Sequence, residues 1–268
     1  MMECTDQIGR KVQLPVLPPK RIVSLVPSQT ELLFDLGLDA HVVGITKFCI
    51  HPTVWYQTKS KIGGTKTLNI PQIISLQPDL IIGNKEENEA AQINELAAQF
   101  PVWISDVNSL PDAIDMISQI GHLIGKTLEA QAISTKIESL FELYALKRPL
   151  HKPRVAYFIW RKPYMVAAGN TFIHEMLNLA GFENNFGHLK RYPEIQLETL
   201  AEVKPDAIFL SSEPYPFAQK HVDEFRQICP NTPILIVDGE MFSWYGSRLL
   251  QSAPYFDHLW KILAFVEN

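Results

Sequence analysis

The sequence predicts an α/β protein of two Rossmann-like lobes, each built on a parallel sheet, joined by a single long helix. Short apolar runs alternate with amphipathic stretches along the chain. One order of elements, helix, Pro-Asp, strand, helix, strand, occurs twice. A stretch at helical spacing, with no Gly or Pro inside it, lies between the two copies. Alternating β and α units imply a parallel sheet covered by helices, and two copies imply two lobes.

The elements follow in order. Arg21–Val26 is a β-branched apolar run stopped by Pro27, the signature of a buried strand. Ser28-x-x-Glu31 has the pattern of a capping box and predicts a helix over Thr30–Leu36, with Gly37 where a helix C′ residue belongs. Val42–Ile45 returns as a strand. The first copy of the repeat is helix Pro71–Gln77, strand Pro78–Ile82, helix Glu89–Gln99 and strand Pro101–Ile104. A helix over Pro111–Ile120 follows. Lys126–Lys147 carries Leu128, Ile133, Ile137, Leu140, Phe141 and Tyr144 at helical spacing. At ~22 residues it spans ~33 Å, about a domain's diameter, and reads as a strut between the lobes or an ordinary surface helix. Pro149 and Pro153 end it. Strand Arg154–Trp160 and helix Thr171–Ala180, closed by Gly181, then open the second lobe. The second copy is helix Glu198–Lys204, strand Pro205–Leu210, helix Phe217–Ile228 and strand Pro233–Val237. The expected division is 1–125, 126–148 and 149–268.

The chain has 268 residues, 46% hydrophobic and 20% charged, enough for a sizeable core. A net charge of -5 gives no support for nucleic-acid binding. Cys4, Cys49 and Cys229 form neither a disulfide framework nor a C-x-x-C site, and one pair among them would leave the compartment undecided. No apolar run approaches the roughly 18 residues that span a bilayer. Met1–Lys20 has no apolar h-region, so the expectation is a cytoplasmic protein or a trimmed start.

In open parallel sheets, ligands bind beyond the carboxyl ends of the strands. That rule nominates 27–29, 46–51, 63–67 and 83–88 in the first lobe, and 161–164, 211–215 and 238–248 in the second. These loops, with the strand end at Trp160, are rich in aromatics and cations: Phe48, Lys66, Trp160, Arg161, Tyr164, Tyr215, Trp244, Tyr245 and Arg248. Each aromatic either packs on its own lobe or meets a large, flat, partly apolar ligand. Trp160, Trp244 and Phe48 are the first choices for contact.

Other motifs point less far. Gly121-x-x-x-Gly125-Lys126-Thr127 resembles a phosphate loop but is a residue short and follows a helix. The eight histidines show no metal-binding spacing, and only His51 lies in a nominated loop. No nucleophile elbow or catalytic cysteine context is present, and no enzyme activity is expected. The acidic run Glu86-Glu87-Asn88-Glu89 suits a helix N-terminus or an exposed docking surface.

Several segments in order resemble the substrate-binding proteins of cobalamin, haem and iron-siderophore ABC importers. They are Thr5–Val12, Pro19–Leu32, Gly63–Lys66, Leu68–Leu80 and Leu200–Ala207, and the likeness runs from about Thr5 to Leu263. The resemblance implies two α/β lobes joined by one long helix, a ligand held in the cleft between them, and an ABC permease as partner. It implies a periplasmic or cell-surface monomer with no cofactor of its own. The likeness is strongest to cobalamin-binding members. By it, Phe48 takes the place of an aromatic contact, Thr65 or Lys66 replaces an expected tryptophan, and Glu240 and Phe242 fall in the second-lobe binding loop. Arg161, Lys162 and Lys66 equally suit an anionic chelate such as a ferric siderophore or haem. Glu198 matches a surface glutamate that docks on the permease, whereas Pro71 stands at its first-lobe counterpart. A cytosolic chelate-handling protein and a two-lobed transferase remain as alternatives.

Overall fold

A computed structural model of the chain describes residues 2–148 and 151–266. The chain folds into two compact units. The first comprises Met1–Val107, Pro111–Lys136 and Tyr245–Arg248. The second comprises Asn108–Leu110, Ile137–Trp244 and Leu249–Asn268.

The first unit opens with an antiparallel ribbon of β1 (Met2–Thr5) and β2 (Lys11–Leu14). Then come β3 (Ile22–Ser24), α1 (Pro27–Asp35), β4 (Val42–Ile45), α2 (Thr53–Thr58), β5 (Ser60–Lys61) and α3 (Ile70–Ser75). It continues with β6 (Leu80–Asn84), α4 (Ala90–Ala97), β7 (Val102–Ser105) and α5 (Leu110–Leu123). The five-stranded sheet has the order β5-β4-β3-β6-β7, with every pair parallel. Its strands are apolar runs with Ile22, Val23, Leu80, Ile81 and Ile82 fully buried, as a sheet covered on both faces requires. The open edge of β7 is covered by the turn between β1 and β2. Gln7 N–H donates to Ile104 O at 3.1 Å, Arg10 Nη2 donates to Val102 O at 3.1 Å, and the buried Asp6 carboxylate accepts from Ile104 N–H at 3.3 Å. Edge groups satisfied in this way offer no template for another strand.

α6 (Thr127–Ala145) carries the chain from the first unit to the second, with residues through Lys136 in one and from Ile137 in the other. The second unit contains β8 (Arg154–Trp160), β9 (Met165–Val166), α7 (Phe172–Leu179), β10 (Glu183–Asn184), α8 (Thr199–Val203) and β11 (Ala207–Ser211). After these come α9 (Gln219–Arg226), β12 (Ile234–Val237), α10 (Glu240–Ser243) and α11 (Leu249–Val266). Its parallel sheet runs β10-β8-β11-β12, and β9 pairs antiparallel with β8. One face is packed by Ala156, Phe158, Ile208, Leu210, Phe217 and Phe225. The other carries Tyr157 and Phe209 against Phe242. Each fully buried phenylalanine contributes about 1.5–3 kcal/mol relative to exposure.

The internal repeat is visible in matched hydrogen bonds. In the first unit Asp79 accepts from the backbone N–H groups of Lys20 and Arg21 at 2.8 and 2.9 Å, and the Arg21 guanidinium donates to Leu76 O. In the second, Asp206 accepts from Arg154 N–H at 2.7 Å and the Arg154 guanidinium donates to Lys204 O. Gln77 and Lys204, each just before Pro-Asp, both take left-handed φ, of 47° and 46°. One Arg–Asp lock thus joins the start of the leading strand to the start of its neighbour in each lobe.

Several expectations are corrected. The capping box does not form: α1 begins at Pro27, whose fixed φ suits the first helical position, and Ser28 Oγ is buried without a hydrogen-bond partner. Gly37 does take the C′ conformation, at φ +78°. The glycines that resemble a phosphate loop have a packing role instead. A Cβ at Gly121 would lie 2.2 Å from that of Ala130, so α5 meets the start of α6 only through glycine. The ribbon, α2 and α11 are additions to the sequence reading, and Pro149 lies outside the described residues. All three cysteines are free.

Candidate functional site

At the carboxyl ends of the first sheet, neutral side chains tie the loops together. Gln29 is fully buried, and its Nε2 donates to Ser105 Oγ at 2.7 Å and Gly83 O at 3.2 Å. Asn84 Nδ2 donates to the same Ser105 Oγ at 2.9 Å, while Asn84 Oδ1 accepts from the N–H groups of Glu86 and Glu87. Asn88 Nδ2 reaches Thr65 O at 3.1 Å. Buried amides bonded across these loops tie them together, with Gln29 Oε1 left buried without a partner. They also fix the acidic run, which precedes α4 rather than filling its first turn.

Phe48 stands beside this network, half exposed, with Lys47 Nζ 5.1 Å from its ring centroid. Lys66 is exposed, and its ammonium donates to Glu86 O at 2.7 Å and pairs with Glu89 at 3.3 Å. Arg248 belongs to the same unit. Its guanidinium grips Glu31 through Nε at 2.9 Å and Nη2 at 2.6 Å, with only 8% and 13% of the two side chains exposed. Burial pushes the Glu31 carboxyl above its ordinary range despite that arginine. Tyr245, at the other end of this short segment, is also buried.

The second sheet ends in aromatics and charges. Trp160, at the end of β8, is 40% exposed and rests its ring edge-on against Tyr215 at 5.8 Å. Tyr215 Oη meets His221 Nε2 at 3.2 Å, while His221 Nδ1 accepts from Ala218 N–H at 2.8 Å. That second bond makes Nε2 the protonated nitrogen. Arg161 is not a free cation: Glu224 of α9 takes its Nε at 3.1 Å and Nη2 at 3.0 Å. The Tyr164 hydroxyl donates to the other oxygen of Glu224. Burial resists ionisation of Glu224, but the bonds from Tyr164 and Arg161 outweigh it and hold the carboxyl below its ordinary range. Burial and the adjacent carboxylate push the Tyr164 phenol up to about 12.

Two other expected contacts sit deeper. Trp244 is 5% exposed, and its Nε1 donates to Glu213 at 3.0 Å beside a 2.6 Å bond from Ser243 Oγ. Burial raises the Glu213 carboxyl, and Glu240 and Asp238 raise it further. Phe242, expected in the binding loop, is a correction: it is fully buried among Tyr157, Phe209, Tyr255 and Phe256. Glu240 opens α10, partly exposed. Glu198 is exposed at the N-cap of α8 and makes no side-chain capping bond. A cavity of about 470 Å³ lies away from all these residues, between β2 and the turn into β7, lined by Arg10, Gln13, Phe100 and Pro101. It faces the amino end of β7, where the strand-end rule places no ligand.

Residues 22–227 match the periplasmic binding protein family. The chain belongs to that family. As a member it is a solute-binding protein. The vitamin B12-binding protein of Vibrio vulnificus (strain CMCP6) is 30% identical over 207 residues, 75% of this chain and 74% of the relative. That of Yersinia pestis (strain Pestoides F) is 24% identical over 249 residues, 90% of this chain and 86% of the relative. Among solved structures, the periplasmic vitamin B12-binding protein of Vibrio cholerae superposes with a TM-score of 0.77 at 22% identity, covering 92% of this chain and 98% of that one. The periplasmic haem-binding protein of Roseiflexus sp. RS-1 in apo form gives 0.80 at 20% identity, covering 93% and 99%. These likenesses share the two-lobed α/β fold.

Sequence reasoning missed the acids that hold the cations. Glu224 lies three positions from His221 on α9, beside the buried face of His221, Val222 and Phe225. An acid flanking that face was the available signal. Glu31 was marked only as the acid of a capping-box pattern, and Glu213 carries no comparable mark.

Proposed function

We propose that this protein captures a corrinoid at the strand-end loops and delivers it to an ABC importer from the periplasmic side, without chemical change. The reading rests on the likeness to vitamin B12-binding proteins across three quarters of the chain. The single structural observation that carries it is charge pairing. Arg161, Lys162 and Lys66 are the cations that would suit a haem or an anionic siderophore. Two of them already have an acid, Glu224 on Arg161 and Glu89 on Lys66, as Arg248 has Glu31, while Lys162 is exposed. Displacing those acids would strip a bonded partner from a charge. Trp160 and Phe48 add exposed aromatic surface, which suits a flat ligand of low net charge.

Glu198 is the proposed docking carboxylate, exposed at the start of α8. Charge pairing with permease arginines would orient the complex. The test of the ligand is a tryptophan-fluorescence titration of purified protein with cyanocobalamin, haemin and ferric hydroxamate siderophores. Saturable quenching by cyanocobalamin ahead of the others is expected. Quenching by haemin alone would replace the corrinoid reading with a haem one, and silence across the panel would end both.

A further inference from the structure

We propose that Glu224 sets ligand selectivity: by occupying Arg161 and Tyr164 it closes a carboxylate receptor beside the Trp160 platform and turns away anionic chelates. The inference rests on the reading above that the strand-end loops of the second lobe contact the ligand.

The geometry is that of a receptor already filled. A guanidinium presents Nε and an Nη in a planar fork, and a carboxylate is its natural guest. Glu224 Oε2 sits in that fork, accepting from Nε at 3.1 Å with Nη2 at 3.0 Å, and Oε1 accepts from the Tyr164 hydroxyl. Its carboxylate therefore stands where a ligand carboxylate would be held. Tyr215 lies near enough to Arg161 to favour its charge and also supports Trp160, so receptor and platform share one side chain. All these residues lie in the second unit.

The pair is also accessible to exchange. Arg161 and Glu224 keep 24% and 31% of their side chains exposed, against 8% and 13% for Arg248 and Glu31. Water and ligand can reach the first pair, and a partly exposed ion pair is weakly held. The charge sum decides what it accepts. With Glu224 ionised the fork and its guest are together neutral, and an incoming carboxylate meets an occupied site and a like charge. With Glu224 made neutral, the arginine charge is left for the ligand. Lys162, one residue on, is exposed, where solvent screens its charge.

The experiment compares wild type, Glu224→Gln and the double variant Glu224→Gln/Arg161→Gln. Each is titrated with cyanocobalamin and with haemin, whose propionates supply the anionic group, and thermal unfolding checks the fold of each variant. The ratio of haemin to cyanocobalamin affinity is expected to rise about tenfold or more in Glu224→Gln, the scale of one charge-assisted pair, and to fall back in the double variant. An unchanged ratio in a folded Glu224→Gln overturns the proposal, as does a gain that survives removal of Arg161. If wild type fails to bind cyanocobalamin, the corrinoid reading falls, while the haemin affinities of the three proteins still decide the role of Glu224. Absence of haemin binding in every protein counts against it.

Discussion

Each lobe holds an arginine against a glutamate, and the two carboxyls are shifted in opposite directions. In the first lobe burial dominates and raises Glu31; in the second, hydrogen bonds from Tyr164 and Arg161 dominate and lower Glu224. The contacts are similar in length, so the difference lies in solvent. A nearly enclosed pair loses its hydration and gains little net stability from ionisation, yet becomes costly to break. A pair one quarter to one third exposed keeps water and stays adjustable. The first is therefore a structural clamp on the Tyr245–Arg248 segment, and the second is a candidate for tuning what binds.

The comparison is broken most directly by removing each arginine. Arg248→Ala should destabilise by about 3 kcal/mol at neutral pH, because it leaves Glu31 buried and unpaired. Arg161→Ala should lose less than about 1 kcal/mol, as an accessible pair does. Urea denaturation of both variants checks this, and equal losses would erase the distinction between clamp and adjustable pair.

Next in size is the ligand platform. Trp160→Ala should weaken cyanocobalamin binding by about 1–3 kcal/mol, the range of an exposed aromatic that becomes an anchor on binding. Phe48→Ala in the first lobe should act in the same direction. Trp244→Ala should instead lower stability, since its indole satisfies the buried Glu213. Calorimetric affinities beside denaturation midpoints separate the two outcomes, and a Trp244 variant that loses only affinity would move the platform.

Smaller still is the pH effect, whose sign differs between the pairs. Both carboxyls start from an ordinary value of 4.5. The folded value of Glu31 is raised, so its contribution is fully present below 4.5 and is lost as pH rises through the folded value. The folded value of Glu224 is lowered, so its contribution is present above 4.5 and is lost as pH falls through the folded value. The stability advantage of wild type over Glu31→Gln should thus shrink as pH rises past 4.5. Its advantage over Glu224→Gln should shrink as pH falls below it. Denaturation midpoints from acid to neutral pH give both slopes, and slopes of one sign would contradict the burial argument. The smallest effect belongs to Glu198→Ala. Its side chain caps nothing, so stability and ligand affinity should hold within about 0.5 kcal/mol while stimulation of the importer's ATPase declines.

Much of the fold was legible because it is written locally. The runs at 22–24, 80–84, 155–159 and 207–211 bury their β-branched and aromatic residues in adjacent parallel strands, and the two Pro-Asp steps mark corresponding turns. Trp160 and Phe48 were legible as exposed loop aromatics for the same reason. The acids were not. Glu224 lies 63 residues from Arg161 and Glu31 lies 217 from Arg248, distances at which no periodicity connects two side chains. Phe242 was misplaced because likeness assigns a loop, whereas the α10 turn points that ring back into the aromatic face of its own sheet.

The central claim is that these strand-end loops hold a corrinoid, and isothermal titration of wild-type protein with cyanocobalamin tests it most directly. One-to-one saturable binding with a negative heat-capacity change, the mark of apolar surface leaving water on a flat ligand, is the predicted result. Heats that never saturate, at concentrations where the protein is folded, would contradict it.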